Sequence, residues 1–123
     1  MPSTRRTLLY GLALVGLVLA AGVVSATVAE RRALAAETAY VEGHLESADC
    51  LSDWGTNEGA GPSRDARITR VSSDGVYVRV TLPYAYTVGT GDDRVFADTA
   101  SEAVYRVTPT DAHRVSGDDV TVC

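Results

Sequence analysis

The sequence VYVRVTLPYAY, residues 76–86, decides the fold class. Every second residue from Val76 to Tyr86 is apolar or aromatic, whereas Arg79 and Thr81 belong to the other parity. Because successive side chains of a strand point to opposite faces of a sheet, this alternation predicts a strand with one face in a core. Pro83 has no N–H to donate to a ladder, so we expect it at an edge, at a bulge or at the far end of the strand.

Turn sequences divide the rest of the C-terminal part into further strands. Gly, Pro, Asp and Ser cluster at residues 73–75, 89–93 and 109–111. Between and beyond these turns, apolar residues recur with a period of two, which predicts strands at 66–72, 76–86 and 95–107 and a last strand that reaches Cys123, with a possible break at 117–119. Consecutive strands joined by short turns predict an antiparallel meander of four strands.

A helical pattern precedes these strands. One apolar stripe repeats in steps of four and three over residues 30–48, and this spacing predicts an amphipathic helix that packs on one face of the sheet. The stripe consists of Leu34, Thr38, Val41, Leu45 and Ala48. Residues 50–64 contain several Gly and a Pro, which predict a loop. Helix and meander together predict a two-layer α+β domain.

An apolar run near the N-terminus predicts a membrane-spanning helix. No charged residue occurs from Thr7 to Ala29. At about 1.5 Å per residue this run reaches roughly 35 Å, which is enough to cross a hydrocarbon core of about 30 Å. Arg5 and Arg6 precede the run and favour an N-terminus inside and a domain outside. The fold class expected is therefore α+β, with an N-terminal hydrophobic (transmembrane) helix continuing into the amphipathic helix.

The same segment has a second interpretation as a cleaved export signal. Residues 4–9 are TRRTLL, which resembles the twin-arginine motif. The apolar run exceeds the usual length of a signal core, so length favours an uncleaved anchor. Both interpretations divide the chain into an anchor or signal segment, residues 1–32, and an extracytoplasmic domain, residues 33–123. The spacings Gly16-x-x-x-Ala20 and Gly22-x-x-x-Ala26 would also let two such helices form a homodimer.

The charge balance excludes one class of partner. The formal net charge is −5, every basic residue is Arg, and the chain contains no Lys. Nucleic acid requires a cationic surface, so we do not expect it as a partner. In composition and layout, over its whole length, the chain resembles small membrane-anchored proteins of halophilic archaea. That resemblance implies a surface whose repulsion is screened in concentrated salt, and it implies no functional residue.

The two cysteines, Cys50 and Cys123, predict a single disulfide. An even number of cysteines in an exported domain is typical of disulfide pairing, and two cysteines allow one connectivity. A redox or metal-binding pair is the alternative, but it lacks the C-x-x-C spacing of such sites. We therefore expect a covalent link between the end of the helix and the C-terminal segment.

The sequence predicts no catalytic, cofactor-binding or metal-binding residue. His44 and His113 lack the spacing of metal ligands, and no serine lies in a nucleophile motif. The acidic pairs at 92–93 and 118–119 follow Gly and are typical of turns.

Aromatic residues supply the one candidate contact surface. Trp54, Tyr84 and Tyr86 could meet a protein partner, although tyrosines of one parity can equally fill the core between helix and sheet.

Three functional hypotheses follow. The first is a non-catalytic, membrane-anchored extracytoplasmic domain that acts through contact with another protein, with the membrane bound through residues 7–29. The second is a pilin-like filament subunit, which shares the order of apolar helix, antiparallel sheet and disulfide. The chain departs from pilins because no Gly follows Arg6 as a cleavage site and no Glu lies early in the apolar run. The third is a small exported ligand-binding protein or enzyme.

Overall fold

The computed structural model describes residues 24–56 and 63–123, which form one helix and one five-stranded antiparallel sheet. The helix is α1 (Ala26–Glu46), and the strands are β1 (Leu51–Gly55), β2 (Asp65–Ser72), β3 (Gly75–Val88), β4 (Val95–Val107) and β5 (Ala112–Gly117). A single 3₁₀ turn, Gly91–Asp93, lies between β3 and β4. The helix covers one face of the sheet.

Strand β3 organises the sheet. β4 pairs with it along its length, from Val76 opposite Val107 to Val88 opposite Val95. β5 then pairs with the C-terminal half of β4. The other edge of β3 is shared, because β2 pairs with residues 75–81 and β1 pairs with residues 85–88. The five strands therefore occupy four positions across the sheet.

The predicted four-stranded meander is wrong by one strand, and its last strand ends at Gly117 and does not reach Cys123. β2 to β5 do follow one another as a meander, but β1 lies in the segment predicted to be a loop. A register shift between Leu51 and Asp53 places Leu51 opposite Val88 and Trp54 opposite Tyr86. The two apolar residues of β1 thus lie three positions apart on one face. This irregularity removes the period of two that would have revealed the strand.

The shared edge explains how a long strand accommodates Pro83. Pro83 pairs with Ala100 of β4 on one side. On the other side, the pairing with β2 ends at Thr81 and the pairing with β1 begins at Ala85. Among the described residues, Pro83 therefore lies in the interval between two partner strands. An interruption in the ladder is one of the places where a missing N–H is tolerated.

Helix α1 begins earlier than predicted and buries a different stripe. Ser25 has an extended ψ of 150°, and its hydroxyl accepts a hydrogen bond from the Val28 N–H, which caps the helix. Gly43 lies within the helix and does not interrupt it. The buried residues are Ala29, Ala33, Glu37, Val41 and Leu45, each four residues after the last. Of the predicted stripe, Val41 and Leu45 are buried and Leu34 is partly buried against the core. Thr38 is not among the buried residues, and Ala48 lies beyond the end of the helix.

The prediction of one long helix that leaves a membrane and continues into the domain is also wrong. The extended backbone at Ser25 separates α1 from what precedes it. Val24 and Ala29, which belong to the predicted span, are buried against the sheet, so this end of the apolar run forms part of the core. In the described ranges, no helix combines the length and apolarity needed to cross a bilayer.

The prediction of a single-pass protein, with its N-terminus inside and its domain outside, is corrected accordingly. Residues 1–23 are outside the described ranges. They include the twin-arginine motif, the Gly16-x-x-x-Ala20 spacing and the start of the Gly22-x-x-x-Ala26 spacing. Signal cleavage and pairing of apolar helices therefore stay predictions.

The core between α1 and the sheet has two parts. The N-terminal half of α1 contributes alanines, whose small side chains let the helix approach the valines of β3 closely. The C-terminal half contributes Val41 and Leu45, which pack with Leu82 and with Val120 from the segment after β5. Burying an aliphatic side chain of this size contributes about 1.5–3 kcal/mol.

The predicted disulfide is confirmed. Cys50 is bonded to Cys123, and their Cα atoms are 6.0 Å apart. The bond fixes the segment after β5 close to the end of α1.

Candidate functional site

The sheet face that points away from α1, called the outer face below, carries most of the exposed charged side chains of the strands. The helix packs on Val76, Val78 and Val80 of β3. Because side chains alternate along a strand, the residues between them point to the outer face. Register with β3 then assigns the neighbouring residues of the other strands to the same face.

One end of the outer face, the basic end, is rich in arginine. Arg67 of β2 lies directly opposite Arg79 of β3, and the guanidinium of Arg70 lies 4.1 Å from the ring centroid of Tyr77. Like charges directly opposite each other destabilise a sheet. The basic end comprises Arg67, Arg70, Arg79 and Arg106.

The carboxylates next to these arginines pair with them only loosely. Arg67 lies 4.0 Å from Asp65, and Arg79 lies 4.0 Å from Glu102. The arginine side chains are 70% and 47% exposed, so each guanidinium keeps donors free for another partner. Exposed ion pairs of this kind contribute at most about 1 kcal/mol.

The turn from β2 to β3 adds a firmly ionised carboxylate beside the basic end. Hydroxyl donors on Ser72 and Tyr77 hold the pKa of Asp74 below its usual value, and Arg106 at 4.0 Å acts in the same direction. Gly75 completes the predicted turn, and its φ is +146°. A side chain at this glycine would also meet the Val107 carbonyl oxygen.

The opposite end of the outer face, the acidic end, consists of Asp53, Asp98 and Phe96. Across the strands, Asp53 lies opposite Thr87, which lies opposite Phe96. In the adjacent row, Asp98 lies opposite Ala85. Both carboxylates are exposed, and Phe96 is 71% exposed. Arg94, whose guanidinium lies 5.5 Å from the ring centroid of Phe96, adds one cation at this end. Along the direction of β3, the outer face therefore changes from an excess of arginines to an excess of carboxylates.

A groove of about 450 Å³ lies at the acidic end. Its floor contains the small residues Gly55 and Ala85, and Trp54 and Phe96 are among its lining residues. A second depression of about 330 Å³ adjoins it near Thr90. Two others, of about 430 Å³ and 270 Å³, lie beside α1 and beside β5. None of these four depressions is lined by a histidine.

The predicted contact residues do not share one exposed surface. Tyr84 is 9% exposed and packs in the core with Leu82, and burial raises the pKa of its hydroxyl. Its ring centroid lies 6.1 Å from that of the half-buried Tyr86. Trp54, opposite Tyr86, is 36% exposed. A contact role for these residues stays a prediction, and of the three only Trp54 presents a largely accessible side chain.

A buried ion pair connects α1 with β5. The Nε–H of Arg114 donates to Glu37 Oε1 at 3.1 Å and to Oε2 at 3.4 Å. The Glu37 side chain is fully buried and that of Arg114 is 19% exposed. Burial raises the pKa of the Glu37 carboxyl, although the hydrogen bond and the charge of Arg114 oppose that rise.

Neighbouring groups complete this ion pair. The guanidinium of Arg114 lies 3.8 Å from the ring centroid of Tyr40, and its Nη2 donates to the Asp118 carbonyl oxygen at 2.8 Å. Burial, and then the charge of Glu37, raises the pKa of Tyr105 to about 12. The cluster joins α1, the sheet and the segment after β5. Its geometry is that of a structural support.

Sequence reasoning missed the Glu37–Arg114 pair. Glu37 is not part of the predicted apolar stripe, and its partner lies 77 residues away in the chain. The periodicity of α1 offered one signal, because Ala29, Ala33, Val41 and Leu45 leave position 37 as the missing member of a series in steps of four.

The histidines and acidic pairs remain apart from one another. His44 is exposed on α1, with Nδ1 at 2.8 Å from the Tyr40 carbonyl oxygen, and His113 is exposed on β5 opposite Arg106. Asp118 accepts a hydrogen bond from the Glu102 N–H and so holds the chain after β5 to β4. Within residues 24–56 and 63–123, no three side chains of metal-binding type come together.

Comparisons of this chain with protein-family models, with curated proteins and with solved structures find no match. No relative therefore supplies a function, and the proposals that follow rest on the outer face and on the chemistry of its side chains.

Proposed function

We propose that this chain is a non-catalytic interaction domain, held together by its disulfide, that works by protein contact in an oxidising compartment. The observation that carries the proposal is the outer face. The helix covers one face of the sheet and leaves the other accessible, with arginines at one end and carboxylates beside an exposed phenylalanine at the other.

The side chains of the outer face contribute little to the fold. Arg67 and Arg79 repel each other across two strands, and their own carboxylate neighbours lie 4.0 Å away. Phe96 is 71% exposed, so its ring adds little to the core. A surface that combines free guanidinium donors, carboxylates and an accessible aromatic ring has the composition of a protein-binding site, in which arginine and aromatic residues are enriched.

The disulfide supports the choice of compartment. Disulfides persist in oxidising environments and are rare where thiols are kept reduced. The bond between Cys50 and Cys123 closes a loop across the whole sheet. A domain built around such a link favours a location outside the reducing cytosol.

Ligand binding is the second candidate function, and the groove at the acidic end favours it. The exposed ring of Phe96 could contact an apolar ligand, and Asp53 and Asp98 could pair with a cationic group. The groove is open, however, and lies on a sheet surface. Sites for small molecules usually enclose most of the ligand, so protein contact is the better supported proposal.

The filament hypothesis stays a prediction. The described residues share with pilins a helix packed on an antiparallel sheet and a disulfide. The features that distinguish a filament subunit lie in residues 1–23, which the structure does not describe. Recovery of the protein in sheared surface fibres would support it.

Site-specific crosslinking tests the proposed function. A photoreactive residue replaces Asp98 on the outer face in one variant and Glu46, exposed on α1, in a control variant. After irradiation of intact cells in high salt, mass spectrometry identifies what each position has captured. We expect a defined protein adduct from position 98 that is absent from position 46. Adducts of equal yield at both positions, or none at either, would contradict a contact function of the outer face.

A further inference from the structure

We infer that the partner of the outer face is a second copy of this chain, packed sheet against sheet about a two-fold axis. The inference rests on the proposed function, because it names the occupant of the same surface. What singles out this partner is the charge order along the outer face, which is complementary to itself once it is reversed.

The charge order follows from the register. Residues that lie opposite one another across the strands form a row, named here by its member in β3. The row of Tyr77 contains Arg70 and Arg106, and the row of Arg79 contains Arg67. The acidic end is in the rows of Ala85 and Thr87. At about 3.3 Å per residue, the two ends are centred roughly 26 Å apart. Between them, the row of Thr81 contains the carboxylates of Asp65 and Glu102, which lie 4.0 Å from Arg67 and Arg79 of the same chain, and the row of Pro83 contains the small residue Ala100.

We place a two-fold axis between two such faces, perpendicular to the strands and close to Leu82. This axis reverses the strand direction of the second copy relative to the first. Each strand then faces its own copy, and the basic end of one chain lies over the acidic end of the other. Isologous interfaces require this kind of self-complementarity. The axis puts Arg70 near the second copy's Asp53 and Arg79 near its Asp98.

The balance of charge also favours this face over the others. The outer face has the four arginines of the basic end and four carboxylates, those of Asp53, Asp65, Asp98 and Glu102. The whole chain has a net charge of −5, so most other approaches bring acidic surfaces together. The uncharged segment 7–23 is a poor alternative occupant, because it would cover these charges without pairing them.

The dimensions predict a reversible dimer. The outer face extends about 33 Å along the strands and covers four strand positions about 4.8 Å apart. Its area is therefore roughly 600 Å² for each partner. Two such faces bury about 1,200 Å², which lies at the lower limit of specific interfaces. Sheets that pack in this way keep their strands within about 30° of each other, so the charge pairs stay in reach.

Charge reversal tests the inference. One variant reverses the acidic end (Asp53→Arg with Asp98→Arg), and a second reverses the basic end (Arg70→Glu with Arg79→Glu). A control variant, Arg31→Glu with Glu46→Arg, changes exposed positions on α1. Sedimentation of the full chain up to about 1 mM measures the oligomeric state, and circular dichroism verifies that each variant is folded.

We expect the unmodified chain and the control variant to form dimers. The first reversed variant then has arginines at both ends of its outer face, and the second has carboxylates at both ends, with Arg67 and Arg106 remaining at one of them. Each should therefore stay monomeric, and an equimolar mixture of the two should form a 1:1 heterodimer. A monomeric unmodified chain, dimers that persist in both reversed variants, or a mixture without heterodimers would overturn the inference. If the chain is monomeric but position 98 still crosslinks to a different protein, the contact function stands and only the identity of the partner is wrong.

Discussion

The buried ion pair allows a prediction with a calculable size. Replacing Arg114 by Met keeps much of the aliphatic volume of the side chain but removes the guanidinium that donates to Glu37. The Glu37 carboxylate is fully buried and would then lack its cation. Breaking a buried pair from one side costs about 3–5 kcal/mol in the free energy of unfolding. For a domain of this size we expect a melting temperature lower by more than about 10 °C.

The pH dependence identifies the cause. Burial raises the pKa of Glu37 above its ordinary value of 4.5. The folded state therefore binds this proton more tightly than the unfolded state does, and the associated stability is present at low pH and lost as the pH rises through the folded pKa. Without Arg114 the pKa of Glu37 rises further. The loss of unfolding free energy caused by Arg114→Met should thus be largest at pH 7 and should become smaller as the pH falls toward 4.

Urea unfolding at constant ionic strength measures this deficit. Arg67→Met is the matched control, because the Arg67 side chain is 70% exposed, and we expect its free energy of unfolding to change by less than about 0.5 kcal/mol. The double variant Glu37→Gln with Arg114→Met removes the buried charge and should be more stable at pH 7 than Arg114→Met alone. A deficit below about 1 kcal/mol, or one that is the same at pH 4 and pH 7, would refute the reasoning.

Three further predictions concern the disulfide, two glycines and salt. Reduction of the bond between Cys50 and Cys123 should lower the free energy of unfolding by about 4 kcal/mol, because the bond restricts a 73-residue loop of the unfolded chain. Urea unfolding with and without reductant measures this change, and an unchanged value would contradict the reasoning from loop entropy. Gly43→Ala should raise the melting temperature, because the added methyl group meets no atom and helix propensity improves by up to about 1 kcal/mol. Gly117→Ala should lower the melting temperature, because its Cβ would lie 2.5 Å from the Arg114 guanidinium. Equal shifts in the two variants would contradict this contrast. The melting temperature should rise between low and molar salt as repulsion within a chain of net charge −5 is screened, and a constant or falling value would count against the resemblance to halophilic proteins.

Strands with regular alternation could be predicted from the sequence. Residues 76–86 lie in β3, and residues 95–107 coincide with β4, because each strand buries one parity along most of its length. β1 could not be predicted in the same way. It has five residues, and its register shift separates Leu51 from Trp54 by three positions. Short strands with a bulge depend on their partner strand for stability, and the sequence alone does not identify that partner.

The features of the candidate site depend on pairing between distant residues. Glu37 looks like an ordinary solvent-facing helix residue until β5 supplies Arg114. The opposition of Arg67 and Arg79 likewise requires the register of β2 with β3. Local patterns indicate which face a residue occupies, whereas cross-strand and helix–sheet neighbours are set by the tertiary fold. This is why the outer face could not be derived from composition, which indicated only an acidic chain.

The disulfide also determines how the domain would bear a mechanical load. Cys50 lies just after α1, so a pull between the helix and Cys123 passes through the sulfur–sulfur bond and bypasses the sheet. Stretching would extend α1 and leave the hydrogen bonds of all five strands without tension. The 73-residue separation corresponds to roughly 250 Å of extended chain, and this length stays inaccessible to force until the bond is reduced. A reducing agent would therefore convert a short, stiff tether into a long, extensible one.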